Sequence, residues 1–145
     1  MARVEVILDV SSVERTVEWY SRVLGWKGTF DVYDKEGNCL FGEVYTSTPD
    51  TEEHPSNVGF SLARSENVDH VMYGGEWQAL IYVDDLDNLY HRVLDNNGRI
   101  IADPEDQPWG AITFKMVDLN GVNLIFAQIM ESPSMEEIQK RLNTK

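Results

Sequence analysis

Val6-Ile7-Leu8-Asp9-Val10-Ser11-Ser12-Val13 and Ala79-Leu80-Ile81-Tyr82-Val83-Asp84-Asp85-Leu86 each run an apolar strand into a polar pair and then an apolar residue. The two stretches lie 73 residues apart, and the same offset pairs Val17 with Tyr90, Tyr20 with Val93 and Gly25 with Gly98. One offset that carries a strand, a helix face and a glycine stop marks an internal repeat. Few letters match between the halves, so the repeat lives in pattern.

Each half reads alike. Val4 to Val10 alternates as a strand, and Ser11-x-x-Glu14 has the form of a capping box. Val13, Val17, Tyr20 and Leu24 follow at helical spacing, and Gly25 supplies a left-handed stop. In the second half Asp84 is the cap candidate, Asp87 places an anion in the first turn, and Asn97-Gly98 ends the helix. Leu86, Leu89, Tyr90, Val93 and Leu94 make its apolar stripe.

Three strands are expected after each helix. They fall near 28–34, 40–46 and 58–64 in the first half, with Lys35-Glu36-Gly37-Asn38 as a hairpin turn. In the second half they fall near 99–102, 111–117 and 122–129. The spacing therefore predicts one domain over 1–145. Module 1 covers about 4–64, a linker 65–76, and module 2 about 77–130, with Gly74-Gly75 in the linker as a hinge or turn. Ser134-x-x-Glu137 caps a last helix over about 135–143, whose stripe Met135, Ile138 and Leu142 needs a surface to cover, on this chain or on a partner.

Composition narrows the partners. With 25 acids against 12 bases the net charge is −13, which repels nucleic acid and anionic membranes. Cys39 is the single cysteine, so no internal disulfide forms and the chain suits a reducing compartment. No apolar run approaches the length of a signal peptide's core or a membrane span, and a cytoplasmic location is expected.

A βαβββ unit repeated twice resembles the glyoxalase/bleomycin-resistance/extradiol-dioxygenase group, the vicinal oxygen chelate superfamily. Three stretches carry the likeness. The run from Val10 to Leu24-Gly25-Trp26 resembles the family's helix ending in Leu-Gly. Gln107-Pro108-Trp109-Gly110 is similar to its turn before the penultimate strand. Phe114-x-x-x-Asp118-x-x-Gly121 is similar to the strand and hairpin that follow, with Leu119 where proline is usual. The likeness covers 4–129. It implies an α+β fold in which two βαβββ modules form a curled eight-stranded mixed sheet, a cup, with the helices on its outer face. It also implies a dimer, since relatives commonly pair.

Strand alternation sends neighbouring side chains to opposite faces. The apolar set Val4, Val6, Leu8 and Val10 then meets the helix, so Glu5, Ile7 and Asp9 enter the cup, with Gln78, Leu80 and Tyr82 as their counterparts. In the family's metalloenzymes the ligands come from the first and last strand of each module. Carried over, those positions are Glu5, Ser61, Gln78 and Ile125. Divalent Zn, Ni, Fe or Mn needs several N, O or S donors, and an aliphatic residue supplies none. No histidine stands there: His54 and His70 lie in connections and His91 on the polar face of the second helix. No metal and no cofactor are expected.

Other chemistries have less support. The chain has no glycine-rich phosphate loop and no G-x-S-x-G elbow. Cys39, beside Leu40 and Phe41, reads as a structural or edge-strand thiol. Glu5 and Asp9 read either as paired carboxylates for acid/base work or as a rim acid and an acid paired with a nearby base. Tyr82 and Trp109 are candidate aromatic walls, Trp109 equally a plug for the end of the sheet. The ligand-binding candidates are thus Glu5, Ile7, Asp9, Ser61, Gln78, Leu80, Tyr82, Trp109 and Ile125, with no catalytic residue assigned. Such a cup suits a small organic ligand, neutral or cationic. Two functions stand open: a metal-free binding protein of the resistance or sequestration kind, and a divalent-metal-dependent lyase, isomerase or dioxygenase of the same superfamily.

Overall fold

A computed structural model describes residues 5–46, 59–65 and 77–144. His54, His70, the Gly74-Gly75 turn and both long polar connections fall outside the described residues, as does Val4. The chain divides into two compact units, Met1–Tyr73 with Leu119–Gly121, and Gly74–Asp118 with Val122–Lys145.

The first unit holds β1 (Ile7–Val10), α1 (Val13–Trp19), β2 (Lys27–Tyr33), β3 (Cys39–Tyr45) and β4 (Gly59–Arg64). Its sheet runs β1-β4-β3-β2, with β1 parallel to β4 and the other pairs antiparallel. One face packs on α1 through Leu8, Val10, Val44, Phe60 and Leu62, all buried. Gly28 and Gly42 let the helix come close: a β-carbon at Gly28 would lie 2.4 Å from Val17 Cγ1, and one at Gly42 would lie 3.0 Å from Val13 Cγ1. Tyr20, Trp26 and Phe60 stack beside that helix as one aromatic cluster.

The second unit repeats the order with β5 (Gln78–Tyr82), α2 (Leu86–Asp95), β6 (Arg99–Asp106), β7 (Ala111–Val117) and β8 (Asn123–Ile129). Its sheet runs β5-β8-β7-β6 with the same pattern of one parallel and two antiparallel pairs. Ile81, Phe114, Met116, Leu124 and Phe126 are buried on the face toward α2, where the Tyr90 ring meets Phe114 edge-on. Tyr90 also donates its hydroxyl to Asp103 at 2.8 Å, and that bond raises its pKa above the usual phenol value. The expected α+β architecture of two βαβββ modules is therefore present, as two hydrogen-bonded sheets of four strands.

The repeat reaches the helix caps, although not at the expected residues. Ser12, not Ser11, caps α1: its hydroxyl accepts from the Arg15 N–H at 3.1 Å. Asp85, not Asp84, caps α2 by accepting from the Asn88 N–H at 3.0 Å. Val13 and Leu86 are buried as first helical residues, which makes the residue just before each the cap. Glu14 is therefore released from a capping box, and its carboxylate accepts the Cys39 N–H instead.

The helix ends differ by one residue. After α1 the chain continues as a π-turn over Tyr20–Leu24 and stops at Gly25, φ +74°. In the second unit the left-handed residue is Asn97, φ +58°, rather than Gly98. A π-turn absorbs one extra residue, which accounts for the slip between the halves.

Turn chemistry explains two of the family-like motifs. Asp118 Oδ1 accepts the Val122 N–H at 2.9 Å, and Gly121 takes φ +87° between them. The tip of that hairpin counts with the first unit, where Asn120 Nδ2 donates to the buried Thr16 Oγ1 at 3.1 Å. Gly110, φ +95°, offers its carbonyl to the N–H groups of Met130 and Glu131, and a β-carbon there would strike Glu131 O at 2.3 Å.

The last helix, α3 (Met135–Asn143), is capped by Ser134 and has no buried residue. Arg141 ties it to the Pro108 carbonyl and to Glu131, whose carboxylate, with that of Glu137, raises the guanidinium's pKa above its ordinary value. Of the stripe Met135, Ile138 and Leu142, Ile138 is half-buried while Met135 and Leu142 stay exposed. No described helix is long and apolar enough to cross a membrane.

Asp34 organises the β2–β3 turn. Its carboxylate accepts the N–H groups of Asn38 and Glu36 and pairs with Arg64 at 3.2 Å. These contacts, the Asn38 N–H foremost, hold its pKa below the ordinary aspartate value. A lowered pKa means the carboxylate stabilises the folded chain above the ordinary aspartate range, and the effect fades as pH falls through the folded value. Asp34→Asn should therefore melt lower than the parent at pH 7, with the gap closing on acidification; a gap independent of pH would contradict this. For the caps, Ser12→Ala and Asp85→Ala should each lower the unfolding free energy by about 1 kcal/mol in urea titrations. Ser11→Ala and Asp84→Ala should stay within about 0.5 kcal/mol of the parent.

Candidate functional site

Since one helix covers one face of each sheet, the other face is where a ligand finds unspent side chains. Strand register identifies them, because partners across a ladder point to the same side. In the first unit one row reads Ile7, Ser61, Glu43, Thr29 across β1, β4, β3 and β2. The next reads Asp9, Ala63, Phe41 and, after a bulge, Val32. Ile7 is 58% exposed and Asp9 is exposed, whereas Leu8 and Val10 between and after them are buried. Val6 does not join the buried set: it precedes the strand and is partly exposed.

Glu5 reaches this face. Ser61 Oγ, nearly wholly buried, donates to Glu5 Oε1 at 2.5 Å, the short length of a hydroxyl bonded to a carboxylate. One partner of Glu5 is thus a hydroxyl on β4. Cys39 is also placed: it lies buried at the start of β3, an inner strand, with its thiol toward the Phe41 carbonyl. That makes it structural rather than an edge-strand thiol.

In the second unit the matching rows are Gln78, Asn123, Val117, Arg99, then Leu80, Ile125, Lys115, Ala102, then Tyr82, Ala127, Thr113, Glu105. Leu80 and Tyr82 are exposed, and Ile125 is half-buried between Leu80 and Lys115. Gln107 crosses the last row by donating to Thr113 Oγ1 at 2.9 Å and to Glu105 at 3.3 Å. Trp109 is half-buried in the turn between β6 and β7.

The two registers agree on equivalent positions. Ile7 and Leu80 are partners under the 73-residue offset, and each lies beside the residue assigned as a last-strand ligand position, Ser61 and Ile125. Ser61 and Ile125 therefore occupy corresponding points in their two sheets, while Gln78 pairs with Asn123 and Glu5 lies ahead of β1. The chemistry of this set does not fit a divalent metal. Ile125 has no donor atom, and the Glu5 carboxylate is already engaged by Ser61. Among the described residues no three His, Cys, Asp or Glu side chains gather where they could hold an ion. His91 is exposed on α2, beside Asp87.

Lys115, Arg99 and Glu43 belong to these faces and were missed from the sequence. Alternation along β7 puts Thr113, Lys115 and Val117 on one side, so the signal for Lys115 was present. The family pattern drew attention to the first and last strands only. Arg99, opposite Val117, and Glu43, between Ser61 and Thr29, follow from the same alternation once the strand pairings are known.

A model of the Glyoxalase/Bleomycin resistance protein/Dioxygenase superfamily matches residues 3–126. The chain belongs to that superfamily. Among solved structures it is similar to a glyoxalase-related enzyme from Clostridium phytofermentans, at 24% identity over 89% of this chain and 95% of that one, TM-score 0.72. TioX from Micromonospora sp. ML1 matches at 20% identity over 92% and 100%, TM-score 0.65. A bleomycin-binding protein complexed with bleomycin matches at 19% identity over 88% and 98%, TM-score 0.61. At these identities the structures speak for the fold alone. None of the curated proteins matches the sequence.

The register across β7 and β8 is open to a double-mutant cycle. Ile125→Glu faces Lys115 directly, so the pair Ile125→Glu and Lys115→Met should show a favourable coupling of about 0.2–1 kcal/mol between Glu and Lys. Zero coupling would put the two side chains on different faces.

Proposed function

We propose that this superfamily member is a metal-independent binding protein for a small organic ligand, working as one domain over 1–145, as a homodimer in the cytoplasm. The donor set carries the reading. The four positions at which the superfamily's metalloenzymes place ligands hold an occupied carboxylate, a buried hydroxyl, an amide and an aliphatic side chain. Such a set favours hydrogen bonding and apolar contact over coordination of an ion.

The surroundings support a ligand. On the first sheet Ile7 leaves apolar surface exposed beside Ser61 and Asp9, and on the second Leu80 and Tyr82 do so on the strand that carries Gln78. Apolar walls with a few polar groups are the usual make-up of small-molecule sites. The net charge of −13, with Glu5, Asp9 and Glu43 on the first sheet, favours a ligand that is neutral or cationic overall. A superfamily neighbour is a bleomycin-binding protein, and sequestration of a toxic organic compound is the role proposed for this chain as well. Met135 and Leu142, exposed on α3, support the dimer, as apolar surface of that kind is covered in most stable assemblies.

Elemental analysis after dialysis should find well under one equivalent of Zn, Ni, Fe or Mn. A melting screen against neutral and cationic aromatic compounds should yield a binder. At a hundredfold excess over its Kd the gain is about 2.7 kcal/mol, a shift of several degrees, unchanged by a chelator. Stoichiometric metal together with binding that a chelator abolishes would instead establish the metal-dependent lyase, isomerase or dioxygenase. Light scattering at micromolar concentration should give twice the mass of one chain.

A further inference from the structure

The helix-free face of the second sheet carries two cations that form no ion pair among the described residues, the one carboxylate on the neighbouring row, Glu105, accepting from Gln107 instead. Lys115 on β7 and Arg99 on β6 stand diagonally on adjacent strands, a spacing that long side chains span. Both are exposed. Among the described residues neither has a carboxylate partner, whereas Arg22, Arg64 and Arg141 each do. Like charges on neighbouring strands repel, and here they sit unpaired in a chain with 25 acids and 12 bases. The repeat sharpens the contrast. The lattice point of Lys115 is held in the first sheet by Glu43, so the cation belongs to this module and not to the fold in general.

The floor beside these cations is apolar and aromatic. Leu80 (44% exposed), Ile125 and Ala102 share the row of Lys115, and Tyr82 (58% exposed) begins the next. The amides of Gln78 and Asn123 lie on the row of Arg99. An ammonium and a guanidinium at one end of an apolar strip match an acid group attached to an apolar or aromatic body. From a distance the protein's negative charge repels anions, so only local cations would admit such a group.

We propose that this face binds the acid group of a small apolar organic acid through Lys115 and Arg99, with Leu80, Ile125 and Tyr82 against its body. This names a ligand class within the binding function proposed above and rests on that reading. The acid group can belong to a molecule that is neutral overall, so the net charge of the protein and the two cations act on different parts of it.

Two fluorescent probes that share one aromatic body test it: anilinonaphthalene sulfonate, which carries an acid group, and neutral N-phenylnaphthylamine. The parent protein should bind the sulfonate about tenfold more tightly, as a charge-assisted contact implies. Lys115→Met or Arg99→Met should collapse that preference, and Leu80→Asn should weaken both probes together. Added salt should weaken the sulfonate alone. Near-UV circular dichroism guards against sulfonate binding to loosened protein, and Lys115→Gln replaces the Met variant if that one does not fold. Equal affinity of the parent for the two probes, or an unchanged preference in the Lys115 variants, would overturn the acid-group assignment while small-molecule binding stands. If the parent binds neither probe, both this assignment and the binding function fail.

Discussion

One helix for each four-stranded sheet is the constraint on which the remaining structure depends. A sheet has two faces, and α1 or α2 can bury only one of them. Leu8, Leu62 and Val44 in the first unit, and Ile81, Phe114 and Phe126 in the second, take the covered face and supply its stabilisation. The residues between them are forced by the same alternation onto the open face. Ser61, Thr113 and Ala127 are buried there, whereas the residues at the strand that opens each sheet are exposed and available for recognition. Ile7, Asp9, Leu80 and Tyr82 hold their positions because their neighbours are buried.

Close approach of the helix makes that constraint rigid. Gly28 and Gly42 remove two side chains that would otherwise collide with Val17 and Val13, and α1 settles onto the backbone of β2 and β3. A one-residue slip of either strand would turn the open face inward and expose the core set. The turns guard against such a slip. Asp118 closes one hairpin by accepting the Val122 N–H, Asp34 organises another, and Gly110 takes a conformation and a closeness that a β-carbon forbids.

This separates what the superfamily motifs mean from what the site does. The residues that carried the resemblance, Gly25, Gly110, Asp118 and Gly121, work as backbone devices. They keep two ladders in register whatever the open faces carry. The open faces have diverged within a single chain. Ser61 bonded to Glu5 answers to Ile125 beside Leu80, and Glu43 answers to Lys115. A scaffold held by turns and covered faces leaves those points free to change without cost to the core.

By itself the sequence determined the repeat, the element order and the covered face of each sheet. All three follow from period and residue type, which are local properties. Leu8 and Val10 alternate with Ile7 and Asp9 whether or not a partner strand is known. Tertiary structure alone decided pairings between strands distant in sequence. The Glu5–Ser61 bond joins β4 to the residue two before β1, and the step from Arg99 to Lys115 crosses a bulge in β6. The caps moved from Ser11 to Ser12 and from Asp84 to Asp85 because burial of Val13 and Leu86 sets where each helix begins. Bulges and cap positions respond to packing across the sheet, where one residue of slip costs little locally and much in the core. No pattern along a single strand records that balance.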